Sequence, residues 1–554
     1  MLSSFTKQAI WRGVKFAALF LMIAILLGYG LGRSGLASPF SDPVDRVRTQ
    51  DETTYASLAV AAATNGDWIT PKVLGRYFMQ KPPLLMWLAG LSIKLLGISA
   101  FALRLPVLLV ACAATLLVFQ WSKIEHSLWT AFLAAFLLIV NPLWHTLARI
   151  CYTDILLTAS MIAALFAAVR DPSFLQRRTI LIAGAAVGAG VMAKNLAGFL
   201  PIAILIVFYL LSRHPLPWFA LLKICALAVL IIAPWHVYQL FRHRQWFWAD
   251  YVEVQLFEFG HHPPDQHTSD GPVWFYLKRL LLTDPLLCLL VAIGAPALLR
   301  SVRKGRTEAA LLLSWIAVIA VADVTFRFRN LPYVAYMIPP LCLAATGYGP
   351  LASGRGKRFI ATAAVLVFVG KVTFSSKPWG LSYGTEPPLP AEHLLHSYAE
   401  LGRPNELIAV NADDEFYAMT LPLKVRYCFI DRAGIPLRYE PHYRPLGIAV
   451  TAEQFQNLEQ WKPQFSETLR EWGLNSTDPI ATSIVATSVR EVVQMVQTHP
   501  HTDFYLPSYL RDEFGDAFQA THRLVEVSPD RFFLLALDTS MLPTQARQRP
   551  VPAW

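Results

Sequence analysis

A series of long apolar segments constrains the fold of this chain more than any other feature of its sequence. A first apolar run covers residues 16–32, and later segments cover residues 84–98, 103–122, 127–143, 152–169, 180–193, 196–212, 218–240, 274–297, 308–323, 331–350 and 359–374. The chain is 55% hydrophobic and 16% charged, whereas soluble domains are about 45–50% apolar and about 25% charged. Because several segments approach the ~17–25 residues that a helix needs to cross a bilayer, we predict a polytopic α-helical membrane protein with about 11–13 transmembrane helices.

The net charge of +10 raises the alternative of a nucleic-acid partner. Most basic residues, however, fall in short loops between apolar segments, as topology determinants do. These loops contain Arg170, Arg177 and Arg178; Arg213; Arg300, Arg303, Lys304 and Arg306; and Arg355, Lys357 and Arg358. We therefore interpret the charge as positive-inside loops and expect membrane lipids, not nucleic acid, as partners.

Placing these basic loops in the cytoplasm predicts the topology of the chain. We expect the first apolar run to be an uncleaved helix with a cytoplasmic amino terminus, which puts the polar loop 33–83 and Asp154 on the outer side. These placements agree only if segment 84–98 does not cross alone. It is therefore predicted to be short, re-entrant or surface-lying, which leaves about 11 true crossings.

The composition changes near residue 375, and the remainder of the chain is predicted to be a soluble α/β domain on the outer side. Leu407–Val410 and Phe532–Leu537 have the length and apolar character of buried strands, and Ser488–Gln497 has the pattern of an amphipathic helix. About 180 residues suffice for one such domain. The predicted division is thus a membrane domain over 1–374 and a soluble domain over 375–554.

Two adjacent carboxylates, Asp51 and Glu52, begin a predicted helix in the loop 33–83. Neighbouring helical residues point about 100° apart, so only one of the two can readily face a given pocket. Asp51 could act as a general base toward an attacking hydroxyl. Alternatively, the pair simply marks a helix amino terminus, where acidic residues are favoured by the macrodipole.

Lys81 and Asp154 are further candidates at predicted membrane surfaces. Lys81 precedes two prolines and could hold a phosphate, or it could be an interfacial lysine that extends to water. Asp154 lies at the lip of an apolar segment, where an ionisable residue indicates function. Its alternative role is capping of that helix by Thr153 or Asp154.

Other basic residues depart from the positive-inside pattern. Arg327 and Arg329 fall in a predicted outer loop, which indicates an anionic partner, and Lys194 interrupts an apolar stretch or is a strayed interfacial lysine. Histidines in the 242–273 loop match no zinc-site spacing, so we predict no metal site there.

These residues, in their order along the chain, resemble a known family. The resemblance rests on Asp51-Glu52 after the first span, Tyr77-Phe78 with Lys81-Pro82-Pro83, Thr153-Asp154, Lys194, and Tyr336 through Pro340. They are similar to the GT-C class glycosyltransferases related to protein O-mannosyltransferases, within the bacterial branch that includes the aminoarabinose lipid A transferase. The resemblance covers about residues 10–375.

The resemblance implies an enzyme of the bacterial inner membrane, with a periplasmic active site and a periplasmic carboxy-terminal domain. Such an enzyme transfers a sugar from a polyprenyl phosphate to a lipid A, glycolipid, glycan or protein acceptor. It implies no certain cofactor besides the lipid-linked donor, and it leaves a divalent cation open. The implied catalytic residues are Asp51, Asp154 and Glu52, and the implied donor-phosphate residues are Lys81, Tyr336, Arg327, Arg329, Lys194 and Tyr55. The chain departs from its relatives at Thr54, where Arg is common, and at Gln80, where an acid is common.

Two other function classes are compatible with a chain of apolar segments. A transporter or lipid flippase tends to have repeated halves and midplane charges, whereas this sequence shows no repeat and clusters its candidate charges at one face. A non-catalytic assembly protein that presents residues 375–554 would tolerate replacement of Asp51 and Asp154.

Overall fold

The computed structural model describes residues 4–28, 31, 50–73, 76–97, 99–212, 214–243, 247–258, 271–326, 328–349, 407–410, 425–430, 483–486, 489–514, 521–528 and 531–537. The chain divides into two compact units. The first includes Met1–Val73 and Tyr77–Thr385, and the second includes Glu386–Pro441 and Val450–Trp554. The predicted domain boundary at residue 375 lies outside the described residues and stays a prediction.

In the part of the chain that the structure describes, the first unit is built almost entirely of helices. Its elements are α1 (Ser4–Gly28), α2 (Gln50–Asn65), the short strands β1 (Lys72–Val73) and β2 (Arg76–Tyr77), α3 (Leu84–Leu96), α4 (Ala100–Glu125), α5 (Leu128–Val140), α6 (Pro142–Leu147), α7 (Thr153–Arg170), α8 (Arg177–Lys194), α9 (Leu200–Leu211), α10 (Trp218–His243), α11 (Pro272–Thr283), α12 (Pro285–Arg303), α13 (Thr307–Thr325) and α14 (Ile338–Gly347). Two 3₁₀ turns (Asn195–Phe199 and Leu331–Tyr336) and a π-helical segment (Trp248–Glu258) complete it.

Within the described residues, six stretches are long and apolar enough to cross a membrane. One of them, Arg177–Leu211, has 35 residues and joins α8 to α9 through a 3₁₀ turn. Helix α3 has 13 residues and is not among the six, and the prediction that segment 84–98 does not cross alone stays a prediction. Other apolar helices are shorter, so the number of about 11 crossings stays a prediction. The chain is a multi-pass membrane protein.

Local signals predicted several boundaries and missed others. The helix predicted for the loop 33–83 is confirmed as α2, and Gly66 follows it with φ +80°, a conformation that glycine adopts without strain. The single helix predicted over 274–297 is wrong. Residue 284 precedes a proline and adopts φ −146°, which separates α11 from α12. The loop predicted over 242–273 contains the π-helical segment.

Buried polar contacts mark the two ends of the helix bundle. At one end, Arg149 donates to the carbonyl of Leu27, the penultimate residue of α1, with an N–O distance of 2.9 Å. At the other end, the Tyr348 hydroxyl donates to Oε2 of Glu308 at 2.7 Å, and Nε2 of His126 lies 2.8 Å from the same oxygen. We call the first the site end, because it carries Asp154.

Small residues allow α7, α8 and the following 3₁₀ turn to approach closely. A Cβ atom added to Gly198 would lie 2.0 Å from the backbone nitrogen of Val191, and one added to Gly190 would lie 2.5 Å from Oγ of Ser160. Neither position has room for a side chain. This packing sets where the end of α8, and with it Lys194, meets the start of α7.

We expect Gly198→Val to destabilise the first unit by about 1–3 kcal/mol or more, because the overpacked turn must move away from α8. Thermal unfolding of the purified protein in detergent would measure this. Gly271→Ala is the matched control, since a Cβ there meets nothing within 4 Å. Equal unfolding midpoints for the two variants would contradict the packing argument.

The second unit contains a six-stranded sheet with the order β5-β4-β3-β6-β8-β7. Its elements are β3 (Leu407–Val410), β4 (Val425–Ile430), β5 (Ser483–Ala486), α15 (Val489–Thr498), β6 (Asp503–Pro507), β7 (His522–Ser528) and β8 (Arg531–Ala536). Strands β5, β4, β3 and β6 are parallel, and β8 runs antiparallel to both β6 and β7. Val492 and Val496 of α15 are buried against apolar residues of the sheet. Both predicted strands and the amphipathic helix are confirmed.

Candidate active site

Asp154 is the central carboxylate of the site end. It lies in the first turn of α7 and is 2% exposed. The residue before the helix, Tyr152, makes no side-chain cap, and the Asp154 side chain accepts hydrogen bonds from two other side chains instead. The capping alternative for Thr153 or Asp154 is therefore wrong. Asp154 is held by residues that are 40 and 182 positions away in the sequence.

Lys194 supplies the positive charge beside this carboxylate. Its Nζ lies 2.6 Å from Oδ1 of Asp154 and 4.5 Å from the ring centroid of Tyr333. The lysine ends α8 because Asn195 adopts φ +53°, which reverses the chain into the 3₁₀ turn. A cation over an aromatic face gains attraction from the ring in addition to its ion pair. Lys194 is thus fixed in place and is not a strayed interfacial lysine.

Tyr336 completes a three-residue cluster around Asp154. Its hydroxyl donates to Oδ1 of Asp154 at 2.5 Å, and its ring stacks on Tyr333 at a centroid distance of 5.9 Å. Both tyrosines lie on the 3₁₀ turn Leu331–Tyr336, which Pro332 begins. Oδ1 of Asp154 therefore receives one charged and one neutral donor, and we call these three residues the Asp154 cluster.

Glu52 connects helix α2 to the same region. It is fully buried, and its two oxygens accept from Nε and Nη2 of Arg104 at 2.9 and 3.1 Å. Oε1 also accepts from the backbone N–H of Cys151 at 2.8 Å. The first turn of α2, which contains Asp51, therefore lies beside the chain that leads into Asp154.

The loop that ends at Lys81 meets the Lys194 turn directly. The side chain of Asn195 donates to the backbone carbonyl of Gln80 at 2.9 Å. Gln255, on the π-helical segment, accepts from Nζ of Lys81 and donates to Oε1 of Gln80 at 3.2 Å. Lys81 is half-buried and bonded to protein, so its ammonium does not simply extend to water as an interfacial lysine does.

The π-helical segment and α10 each form a further hydrogen bond with the loop that ends at Lys81. The backbone N–H of Met79 donates to the buried carboxylate of Asp250 at 2.6 Å, and the indole of Trp235 donates to the carbonyl of Ile69 at 2.9 Å. Burial raises the pKa of the Tyr251 phenol, which stays protonated and donates to Nε2 of His236. The position of Lys81 is therefore set by long-range contacts.

The remaining predicted residues lie around this cluster. Tyr55 is buried, with its ring edge-on to Tyr152 at 6.0 Å between centroids. Arg329 is half-buried between α13 and the 3₁₀ turn. Arg327, the side chain of Asp51 and the loop histidines His261, His262 and His267 lie outside what the structure describes. Among the described residues, no group of three or more His, Cys, Asp or Glu could hold a metal ion.

Sequence reasoning missed several residues of the site end. Arg104 and Asp323 are lone charges within apolar segments, a signal that indicates function inside a membrane and was available. Gln255 and Asp250 gave no such signal, because polar residues in a predicted loop are ordinary. Their contacts with Lys81 and Met79 depend on helix packing.

Chemically, this arrangement suits an anionic leaving group. The side chain of Asn195 binds the carbonyl of Gln80. Lys81 directly follows Gln80 and Lys194 directly precedes Asn195, so a lysine adjoins each partner of this hydrogen bond. Fixed cations and hydroxyls stabilise negative charge that develops on an oxygen, without any reorganisation at the moment of reaction. The neighbouring carboxylates of α2 and α7 supply acid or base groups.

Comparison with known proteins confirms the resemblance to this class. Residues 80–238 match the family profile described as dolichyl-phosphate-mannose-protein mannosyltransferase. The chain is 30% identical over 318 residues to an undecaprenyl phosphate-alpha-4-amino-4-deoxy-L-arabinose arabinosyl transferase of Pectobacterium carotovorum, covering 53% of each chain. The corresponding protein of Sodalis glossinidius is 29% identical over 327 residues, covering 57% of each chain. The chain thus spans about half the length of the curated relatives that it matches.

Solved structures support the fold over nearly the whole chain. The structure of ArnT from Cupriavidus metallidurans bound to undecaprenyl phosphate has a TM-score of 0.65 at 17% identity, covering 97% of this chain and all of that chain. The apo state of the same protein has a TM-score of 0.63 at 18% identity and covers 95% of this chain. At such identities the likeness shows the fold, which is the predicted GT-C fold with a carboxy-terminal α/β part.

Proposed function

Because this chain has the GT-C fold and is related in sequence to bacterial arabinosyl transferases, we propose that it is a glycosyltransferase. It transfers a monosaccharide from a polyprenyl phosphate of the undecaprenyl type to an acceptor such as lipid A, another glycolipid, a glycan or a protein. The observation that carries the proposal is the Asp154 cluster, in which a buried carboxylate holds Lys194 and Tyr336 next to the Lys81 loop.

The donor phosphate is assigned to the cations and hydroxyls of the site end. Lys81 and Lys194 provide charge, Tyr336 provides a hydroxyl, and Arg327, Arg329 and Tyr55 are further candidates. The ring of Tyr55 faces Tyr152, which favours a packing role for it. When the sugar leaves, negative charge grows on the phosphate oxygens, and donors fixed beforehand lower the barrier.

The carboxylates take different roles in this proposal. Asp51 accepts the proton of the attacking acceptor. Asp154 fixes the direction of Lys194 and Tyr336. Glu52 is a positioning residue, because Arg104 and the backbone of Cys151 already occupy its oxygens. Adjacent helical residues point about 100° apart, so a buried Glu52 leaves Asp51 on a different face of α2.

The membrane orientation follows the basic loops. The site end is proposed to lie on the periplasmic side of the bacterial inner membrane, with a cytoplasmic amino terminus and residues 375–554 as a periplasmic domain. In support, the contact of Arg149 with Leu27 puts the carboxyl end of α1 at the site end. A transporter would need charges near the midplane, whereas the Asp154 cluster lies at helix ends.

We expect Asp51→Asn to abolish transfer while the protein still inserts and folds, because an amide cannot accept the acceptor's proton. The assay would use purified protein in detergent, a mixture of polyprenyl-phosphate sugars, and a lipid extract. Asp512→Asn is the matched control, since Asp512 is an exposed carboxylate of the second unit. If Asp51→Asn turns over the donor as fast as the unmodified protein, the role assigned to Asp51 is wrong. If the unmodified protein consumes no donor but moves lipid across vesicle membranes, the flippase alternative is favoured.

A further inference from the structure

Asp323 is a buried carboxylate that the proposed mechanism does not use. It lies in the last turn of α13, is 6% exposed, and forms no hydrogen bond or ion pair with any described residue. Its Oδ2 atom is buried without a hydrogen-bond partner in the part of the chain that the structure describes. A buried polar atom without a hydrogen-bond partner is costly, and an ionisable residue within a membrane segment indicates a functional site. Among the described residues, this oxygen therefore has an unused capacity to accept a hydrogen bond.

The surroundings of Asp323 place this oxygen beside the Asp154 cluster. Asp323 interacts electrostatically with Lys194 and with Tyr336. It also interacts with Tyr276 on α11. Lys194 directs its ammonium group to Asp154, at 2.6 Å, and forms no ion pair with Asp323. Helix α11 packs against both α13 and the 3₁₀ turn that carries Tyr336, and Lys194 pairs with the carboxylate on α7.

The chemistry of a carboxylate oxygen limits what it can bind. A phosphodiester is excluded at this acceptor oxygen, because it carries no proton to donate. A metal ion bound by protein alone is disfavoured, because no group of three or more metal-ligating residues occurs among the described residues. What remains is a hydrogen-bond donor, either a hydroxyl or an ammonium group.

We propose that Asp323 is a sugar-binding residue whose free oxygen accepts a hydrogen bond from a hydroxyl or ammonium group of the donor's sugar. The inference rests on the proposed glycosyl transfer. The phosphate bound at Lys81, Lys194 and Tyr336 brings the attached sugar next to these residues, and Asp323 lies beside two of them. The sugar is the part of the donor that carries hydroxyl or amino donors. Asp323 therefore contributes to the choice of sugar, while the cations bind the phosphate that all such donors share.

The test compares binding of polyprenyl phosphate with and without its sugar, in the absence of any acceptor. The variants are Asp323→Asn, which keeps the shape, and Asp323→Leu, which removes all polarity. The matched control is Glu308→Gln. Glu308 is a buried carboxylate in the first turn of the same helix, and it accepts a hydrogen bond from the Tyr348 hydroxyl. Both Kd values and the thermal unfolding midpoint are measured for each protein.

We expect both Asp323 variants to bind polyprenyl phosphate as wild type does and to lose about 10–100-fold in affinity for the sugar-bearing donor, the worth of one hydrogen bond to a charged group. Their unfolding midpoints should stay equal or, in Asp323→Leu, rise, because a buried polar group without a hydrogen-bond partner has been removed. Glu308→Gln should lower the midpoint and leave the sugar's contribution to binding unchanged.

Three results would overturn the inference. One is an unchanged preference for the sugar-bearing donor in both Asp323 variants. Another is a lowered unfolding midpoint in both, which would show a structural partner. A third, measured in a separate transfer assay with a lipid extract, is an effect confined to the KM of the acceptor, which would assign Asp323 to the other substrate. If wild type binds no polyprenyl phosphate, with or without sugar, the proposed function itself fails.

Discussion

Replacing Lys194 with methionine is expected to lower transfer by about 10²–10³-fold, the usual cost of removing one donor that faces a developing negative charge. Methionine keeps much of the apolar stem but removes the ammonium that lies 2.6 Å from Asp154 and 4.5 Å from the Tyr333 ring. The buried carboxylate is then left with Tyr336 alone. Breaking a buried pair in this way typically costs about 3–5 kcal/mol of stability. Steady-state transfer and thermal unfolding in detergent measure the two effects.

A double variant separates the two effects of this change. Asp154→Asn combined with Lys194→Met removes both charges, so we expect it to recover stability but not activity. Lys94→Met is the matched control, because Lys94 is exposed in the last turn of α3. Near-normal turnover in Lys194→Met would contradict the role of this lysine, and equal stability of the single and double variants would contradict the ion-pair argument.

Glu52→Gln is expected to destabilise the protein by about 3–5 kcal/mol, because the buried Arg104 guanidinium loses the carboxylate that balances its charge. Both side chains are fully buried, and Glu52 also accepts from the backbone N–H of Cys151. The change loosens the attachment of α2 to α4 and to the chain before α7. We therefore expect activity to fall together with the unfolding midpoint, since α2 carries Asp51.

The paired variant Glu52→Gln with Arg104→Met tests whether the unpaired charge causes this loss. It should unfold closer to wild type than either single variant does. Glu513→Gln serves as the control, because Glu513 is exposed in the second unit. A wild-type midpoint in Glu52→Gln would show that the ion pair contributes little, and unchanged activity despite lower stability would show that α2 need not be fixed for catalysis.

Much of the secondary structure could be predicted from local patterns. Apolar segments of helical length became helices, helix α2 ended at Asn65 and Gly66, and the apolar runs near 407 and 532 became strands. These features depend on periodicity and on residues such as glycine that act within a few positions. The break at Asp284 was missed although Pro285 signals it locally. The residues on both sides of this proline are apolar. Their composition is the same whether they form one helix or two, so composition does not reveal the break.

For the candidate site, several residues could be identified from the sequence, but their partners could not. Asp154, Lys194, Tyr336 and Lys81 stand out as charged or ordered motifs at the edges of apolar segments. Helix capping by Asp154 and a strayed Lys194 were reasonable alternatives, because local sequence cannot show a contact between residues 40 positions apart. The ion pair at 2.6 Å rejects both alternatives.

The sequence by itself thus determined that the chain is a membrane protein with polar motifs at helix ends, since hydrophobicity and turn chemistry are local properties. Only the tertiary structure decided that α2, α7, α8 and the turn before α14 bring their polar residues to one place. It also decided which carboxylates are paired, as Glu52 and Asp154 are, and which one, Asp323, has no partner among the described residues. The physical reason is that burial and pairing depend on neighbours distant in sequence, and in a low-dielectric interior those neighbours determine what a charge can do.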